Sequence, residues 1–474
     1  MKIKRSDAVA VSIPGERYTP FALAKKLGAL AILESASFTH GRDRYSLILA
    51  REAFRVVQNN RGVFYSIENQ LLPFCSGDIL DALLEIAGQN ALPPDGIPLP
   101  GAGIGYLGYE FCQRVDTITL ADQPDTVGIN ESEFIVGHVY LVFDHFTDTI
   151  HIFALNYEQH EIDLEEAVDD IKRRLEDLDF SYLSPPGEQV SCTVRSNLEK
   201  SREEFLAGVS TIQEEIIAGN LLQAVLSRRL ELESEESAFE VYRRLRSTSP
   251  SPYLFYLDFG AHQLIGSSPE SLVRVRDSVA SIRPIAGTCR RGVNAEEDEF
   301  LGKKLLADPK ERAEHLMLVD LARNDLGRVC LPGSIRLACT LTVELFSHVM
   351  HIVSNVVGQI GSLTSREKPV TGIDVLRAAF PAGTVSGAPK IRAIETVSRL
   401  EPARRGFYAG AVGYIEPNGD LDFCIAIRSA LKKRSKWILQ AGAGIVHASV
   451  PEREWEETGE KLAALQAVLT GGTK

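Results

Sequence analysis

Y-A-G-A-V-G-Y (Tyr408 to Tyr414) leads through F-C-I-A-I-R (Phe423 to Arg428) to Q-A-G-A-G (Gln440 to Gly444), and an acidic helical stretch with Glu454, Glu457 and Lys461 follows. Apolar runs broken by glycine read as strands, and glycine inside a strand marks close approach of another backbone or a ligand. The i, i+3, i+7 spacing of Glu454, Glu457 and Lys461 places all three on one helix face. A β-rich core that needs bare backbone at Gly442 and Gly444 beside one fixed cation, Arg428, forms a pocket for a small anion. The acidic helix after it can hold a divalent cation. Together they imply metal-assisted chemistry on a small carboxylic acid.

The chain before this stretch is built in the same style. Strands are predicted at Leu222 to Leu226, Tyr253 to Asp258, Gln263 to Ser267, Ile282 to Ile285 and Val349 to Val357. One helix is predicted from Arg202 to Ala218, closed by Gly219-Asn220 as a left-handed cap. A second runs from Pro309 to about Leu321 with Asp308 as its N-cap, and a third starts near Pro389 at the first helical position. A first region of short strands precedes them, with Phe134 to Phe143 and Thr149 to Leu155 as a hairpin around D-H-F-T-D. Its G-A-G-I-G-Y-L-G-Y-E (Gly101 to Glu110) echoes Y-A-G-A-V-G-Y-I-E (Tyr408 to Glu416), which reads as two glycine-rich strands crossing a tight layer. A polar stretch with the helical run Leu164 to Leu178 and the breaker S-P-P-G (Ser184 to Gly187) lies between. Strands and helices do not alternate as repeated units. The fold class is therefore α+β, with mixed or antiparallel sheets packed as a sandwich and flanked by helices. Residues 1–157 form an N-terminal region, 158–198 a linker and 199–474 a C-terminal region.

At 474 residues the chain can bury a large core, and 44% apolar with 24% charged residues is ordinary for a globular enzyme. A net charge of −13 argues against a nucleic-acid partner. The basic residues Lys2 to Arg5 lack a following apolar run, and no apolar segment approaches the ~20 residues of a membrane span, so a cytoplasmic protein is expected. Seven cysteines without a C-x-x-C pair favour neither a disulfide framework nor a zinc knuckle.

Three further groups could carry chemistry. In E-R-A-E-H-L-M-L-V-D-L, Glu311 and Glu314 share a helix face, and His315 sits on the neighbouring turn. They form a solvated edge unless the helix is buried, and Leu316 to Leu321 makes the next turns apolar nearly all round. Mg²⁺ asks for one or two carboxylates plus substrate oxygens and water, so one acid from each acidic helix suffices. His351, flanked by Val349 and Val353, is either a hydrogen-bonded core residue or a general acid or base. His348 faces the other way. Glycine turns at P-I-A-G-T (Pro284 to Thr288) and A-G-T-V-S-G-A-P-K (Ala382 to Lys390) are either structural or, at the second, a helix start that favours a carboxylate or phosphate. The second lacks the spacing of a P-loop. Gln223, Thr288, Thr384 and Lys390 are each ambiguous alone.

Eleven segments in order, among them L-L-Q-A-V-L-S-R-R, S-P-S-P-Y-L-F-Y, S-S-P-E, P-I-A-G-T, H-V-M-H-I-V-S and E-E-T-G-E-K, resemble the chorismate-utilising enzymes and within them the component I branch of anthranilate synthases. They span about Arg202 to Leu469. The resemblance implies Mg²⁺ on Glu314 and Glu457, with Glu311 and Glu454 nearby. It also implies substrate carboxylates on Arg428, Lys461, Thr288 and the backbone of Gly442, Ala443 and Gly444, with Tyr408 against the substrate. His351, Glu270 and Thr384 fall on catalytic positions.

Two positions separate the branches. Gln223 stands where water-using members carry lysine, so ammonia is the implied nucleophile. Ala286 stands where aminodeoxychorismate synthases commonly carry an attacking lysine. The product implied is anthranilate with pyruvate, in tryptophan biosynthesis. The alternatives are an aminodeoxychorismate synthase of the folate pathway and an inactive tryptophan-binding regulatory subunit. L-E-S (Leu33, Glu34, Ser35) and G-R-D-R-Y-S (Gly41 to Ser46), with Pro252 and Tyr253, resemble the family's tryptophan feedback site, with Ala-Ile before Leu33 and Ser249 for the usual Asn as departures. No cysteine sits in a G-x-C-x-G turn, so ammonia is expected from solution or from a separate glutamine amidotransferase subunit.

Overall fold

The computed structural model describes residues 3–36, 44–68, 70–74, 77–91, 93, 96–177, 191–345, 349–362 and 368–470. His348, Gly41 to Asp43 and the S-P-P-G breaker lie outside them. Among the described residues, twenty-two strands join into one connected sheet system. The pairings are antiparallel, as between Gln223–Glu233 and Lys436–Ile445 or Ser132–Asp144 and Thr149–Tyr157.

The elements that place the site are, in chain order, β1 (Ala31–Glu34), β2 (Ile104–Leu107), α1 (Leu164–Glu176), α2 (Leu198–Ile217), β3 (Gln223–Glu233), β4 (Tyr253–Asp258), β5 (Ile285–Arg290), α3 (Pro309–Gly327), β6 (Val349–Gln359), α4 (Lys390–Leu400), β7 (Ala411–Ile415), β8 (Leu421–Ile425), β9 (Lys436–Ile445) and α5 (Pro451–Leu469). Local chemistry explains their ends. Asn197 accepts from the Lys200 N–H to start α2, and Gly219 at φ +80° lets the chain leave it. Asp308 accepts from the N–H groups of Lys310 and Glu311, with Pro309 at the tolerant first position of α3.

Two expectations are corrected. Ile282 to Ile285 is not one strand: Val279–Ile282 ends and β5 begins at Ile285, because Pro284 has no N–H for the ladder. The second concerns α3, which is not buried all round. Leu316 is 45% exposed, while His315, Leu318, Val319, Ala322, Asp325 and Leu326 form the buried stripe.

The regions on either side of 158–198 share their sheets. β1 pairs with β4, Glu34 opposite Leu254, and the two echoing glycine strands pair with each other, Gly105 of β2 opposite Gly413 of β7. A Cβ at Gly105 would sit 2.1 Å from the Glu133 carbonyl oxygen, and one at Gly413 would sit 2.2 Å from that of Asp422, so the tight layer admits nothing larger. One apolar core joins Phe134 and Tyr106 to Phe423 and Tyr408, and a second joins Ile152 and Leu23 to Trp437 and Leu462. Within the 158–198 stretch, α1 buries Leu164, Val168, Ile171 and Leu175 in that second core.

Candidate active site

β9 lies against β3 with Gly442 opposite Ser227 and Gly444 opposite Val225. A Cβ on Gly442 would meet the Leu226 carbonyl oxygen at 2.9 Å and the Tyr408 hydroxyl at 3.1 Å; one on Gly444 would meet Gln223 Nε2 at 2.6 Å. The backbone contact makes bare backbone a requirement at Gly442, whereas at Gly444 a side chain would have to displace the Gln223 amide. Ala443 is different: its methyl is buried on the opposite face with Val209, Ile212 and Leu226, so only its backbone can face a ligand. Lys461 reaches down from α5 to donate to the Gly442 carbonyl (2.8 Å) and pairs with Glu457 at 2.6 Å.

Across from Lys461 stand the acids of α3. Burial raises the Glu314 pKa, repulsion from Glu311 raises it further and Glu457 adds to this, against Lys310 and Lys461. Glu454 is raised in the same way, by burial first and then by Glu457, with Ser449 opposing. Two helices far apart in sequence thus bring carboxylates within each other's field. Among the described residues no three His, Cys, Asp or Glu side chains gather closely enough to enclose a metal. Two crowded carboxylates fit Mg²⁺, which keeps waters and substrate oxygens in its shell, rather than an all-protein cage.

The remaining predicted residues join this group. Arg428 lies three residues beyond β8 with φ +49°, a left-handed conformation uncommon for a residue with a side chain. It is solvent-accessible, yet protein crowds it enough to depress its pKa by burial, with Tyr408 and Glu457 pulling the other way: it stands in a cleft. His351 on β6 lies opposite Thr288 on β5, its Nδ1 3.1 Å from the Gly287 carbonyl oxygen and 3.2 Å from the Thr288 hydroxyl. Burial lowers its pKa and the Gly287 carbonyl resists this; Arg428 lowers it and Glu344 raises it. Glu270 is buried, and its pKa is pushed up to about 7 by burial against the Thr384 hydroxyl and Lys461. Lys390 is not part of the group; its ammonium is paired with buried Asp325 at 2.8 Å.

The five residues of the second predicted site, Leu33, Glu34, Ser35, Pro252 and Tyr253, line one cavity of about 600 Å³. None of the active-site candidates lines it. Glu34 holds three donors, Arg246 Nη2 at 2.8 Å, Arg246 Nε at 3.0 Å and the Tyr242 hydroxyl at 2.7 Å, so it anchors its strand rather than offering a free acceptor. The far wall was not read from sequence. It comes from β7 and β8 (Val412, Tyr414, Asp422) and from Arg274 and Arg276.

Sequence reading also missed a buried ion pair behind Tyr408. Arg405, 2% exposed, donates to both Glu401 oxygens and to the carbonyls of Val385 and Val225, and Glu401 accepts from the N–H and hydroxyl of Ser227. Its guanidinium lies 4.5 Å from the ring centroid of Tyr109 and 5.7 Å from that of Tyr408. One side chain therefore fixes β3, the turn after Thr384 and the Tyr408 loop. The signal was a Glu and an Arg four residues apart beside that loop.

The fold is that of a known class of enzyme. The chain belongs to the chorismate-binding enzymes, whose family it matches over residues 47–467. It is 51% identical over 461 residues to anthranilate synthase component 1 of Spirochaeta aurantia, covering 97% of this chain and 94% of the relative. Identity to the protein of the same description from Acetivibrio thermocellus is 39% over 493 residues, covering 100% and 98%. Among solved structures, anthranilate synthase component I from Streptococcus pneumoniae superposes with a TM-score of 0.76 at 35% identity, covering 89% of this chain and 92% of that one. The menaquinone-specific isochorismate synthase from Escherichia coli shares the fold, with a TM-score of 0.73 at 19% identity over 99% and 96%.

Proposed function

We propose that this chain is the synthase component of an anthranilate synthase, a lyase that converts chorismate and ammonia to anthranilate, pyruvate and water. The observation that carries this reading is the meeting of Arg428 and Lys461 with carboxylates of two separate helices over a floor of bare backbone. The cations and the floor suit a substrate with two carboxylates, and Glu314 and Glu457 would hold Mg²⁺. When bound, that ion supplies Lewis-acid polarisation of substrate oxygens.

The side chains divide the other work. Arg428, Lys461, Thr288 and the N–H groups of the glycine floor hold the carboxylates, and Tyr408 closes the far side. Glu270, its pKa pushed up to about 7 by burial, can hold a proton near neutral pH and give it to the C4 hydroxyl as ammonia adds at C2. His351, kept neutral by burial, can take the C2 proton when the enolpyruvyl oxygen leaves and the ring becomes aromatic. Gln223 offers a buried amide oxygen with no hydrogen-bond partner among the described residues, and an amide cannot act as a lysine base toward water. Ala286 on β5 is buried and has no nucleophile, against the aminodeoxychorismate synthase alternative.

Incubation with chorismate, Mg²⁺ and ammonium is expected to give anthranilate by mass and fluorescence; aminodeoxychorismate as the end product would overturn the assignment. Glutamine is expected to support turnover only after a cognate glutamine amidotransferase subunit is added. Anthranilate formation from glutamine by the isolated chain would refute that partner.

The 600 Å³ cavity is the proposed tryptophan site. β7 starts three residues after Tyr408 and β8 ends three before Arg428, so a ligand on these strands can shift both active-site residues. A coupling of about 1–3 kcal/mol, or 5–150-fold in affinity, is typical, and by reciprocity chorismate must weaken tryptophan by the same factor. Ser35→Phe is expected to fill the cavity's edge and leave an active, tryptophan-resistant enzyme. Tight tryptophan binding with unchanged chorismate affinity in calorimetry would make the cavity structural.

A further inference from the structure

Arg228 on β3 is a guanidinium with no carboxylate at ion-pair distance among the described residues. Burial alone accounts for its lowered pKa of about 10. Its plane covers the Trp455 ring at 3.7 Å, the shortest cation–aromatic distance among the described residues, and its Nε donates to the buried Thr458 hydroxyl at 2.7 Å. Thr458 in turn donates to the Trp455 carbonyl at 2.7 Å, so one side chain grips a single turn of α5 from its face and its edge. Phe205 of α2 packs edge-on against the same indole, with centroids 5.8 Å apart.

That turn carries Glu457. The next hold on the helix is Lys461, bound to the Gly442 carbonyl, and Arg228 sits opposite Ala441, the neighbour of Gly442, on the paired strand. Two adjacent strands therefore hold α5 at two points, Trp455–Thr458 and Lys461, with Glu457 between them. Leaving a guanidinium without a counter-charge in a half-buried place is unfavourable, and what the arrangement gains is geometry. A lysine there would keep the charge but lose both the planar stack and the Nε donor.

We propose that Arg228 is a positioning residue that sets Glu457 and Lys461 over the glycine floor, an inference that rests on the reading of those two as metal and substrate ligands. Residues that orient metal ligands typically change metal affinity or activity by about 10–100-fold when replaced. Arg228→Lys is expected to raise the Mg²⁺ half-saturation and the chorismate KM by a factor in that range, with a smaller change in kcat. In the ligand-free protein, amide exchange over 452–461 should quicken while that of β3 and β9 stays as in the wild type. Thr458→Val, which keeps the shape and loses only the hydroxyl, should move the same readouts in the same direction. Wild-type Mg²⁺ and chorismate dependence with unchanged exchange in both variants would overturn the proposal. So would losses that simply follow a fall in melting temperature. If the wild-type enzyme itself needs no Mg²⁺, the ligand reading fails instead, and the exchange measurement still reports whether Arg228 orders the helix.

Discussion

Glu314→Gln and Glu457→Gln are each expected to lower turnover on the order of 10³-fold, since Lewis-acid stabilisation is worth several kcal/mol and each 1.36 kcal/mol is tenfold. The folded state should not suffer. Glu314 has its pKa raised by burial and by repulsion from Glu311 and Glu457, so its charge is unfavourable in the empty site. For a carboxyl raised in the folded state, the native protein binds more protons than the unfolded chain. Its stabilising contribution is present below the unfolded pKa near 4.5 and is lost as pH rises through the raised value. Glutamine carries no such charge. The melting temperature of Glu314→Gln at neutral pH is therefore expected to equal or exceed that of the wild type, and its fall with rising pH should flatten. Inactive but stable variants, with wild-type activity abolished by chelator, are the result to look for. Full wild-type turnover in excess chelator would remove the metal from the mechanism.

Features set by neighbours in sequence were legible. Asp308 before Pro309 and Gly219-Asn220 after α2 are caps whose physics is local, and both stand where expected. The glycine pair at 442 and 444 told its own story, because only a close approach explains two glycines alternating in an apolar strand. What escaped depends on residues far apart in sequence. Gly101 to Glu110 and Tyr408 to Glu416 look alike, but nothing in either says that they pair with each other across the layer. The continuation of one sheet system from β1 into β4 has no local signal either, so the 158–198 break in composition stood out more than the sheets that run past it. Arg405 and Glu401 look like an ordinary surface pair at i, i+4 until Tyr109, Ser227 and two carbonyls close over them. Asp422 and Arg276 carry no local mark of a site, yet in the fold they line the cavity that Leu33, Ser35 and Tyr253 begin. The exposed Leu316 shows the opposite case: an apolar run implies burial, but burial follows the 3.6-residue stripe instead.

His351→Ala is expected to cost turnover with ammonia about 10²–10⁴-fold, the range for proton transfer by a positioned side chain. The geometry favours a base. The carbonyl of Gly287 lies 3.1 Å from Nδ1, so a proton held there donates to that oxygen and leaves Nε2 as the acceptor. Burial lowers the imidazole pKa and nearby Arg428 adds to this, so the neutral form predominates at pH 7. If His351 accepts the C2 proton, wild-type kcat should show an acid limb, falling as pH drops through a value below the ordinary 6.5 for histidine, distinct from the basic limb near pH 7 that Glu270 gives as proton donor. If it acted as a proton donor, that acid limb would be absent and the fall with rising pH would begin below 6.5, ahead of the Glu270 limb. The species that accumulates sharpens the assignment. Addition of ammonia at C2 needs no proton taken from that carbon, whereas elimination of the enolpyruvyl group does. The alanine variant should therefore build up the amino-substituted cyclohexadiene that still carries its enolpyruvyl side chain, visible by mass as the adduct of ammonia and chorismate less one water. Near wild-type turnover, or a loss with no intermediate and an unshifted acid limb in the pH profile, would return His351 to a core residue that ties β5 to β6.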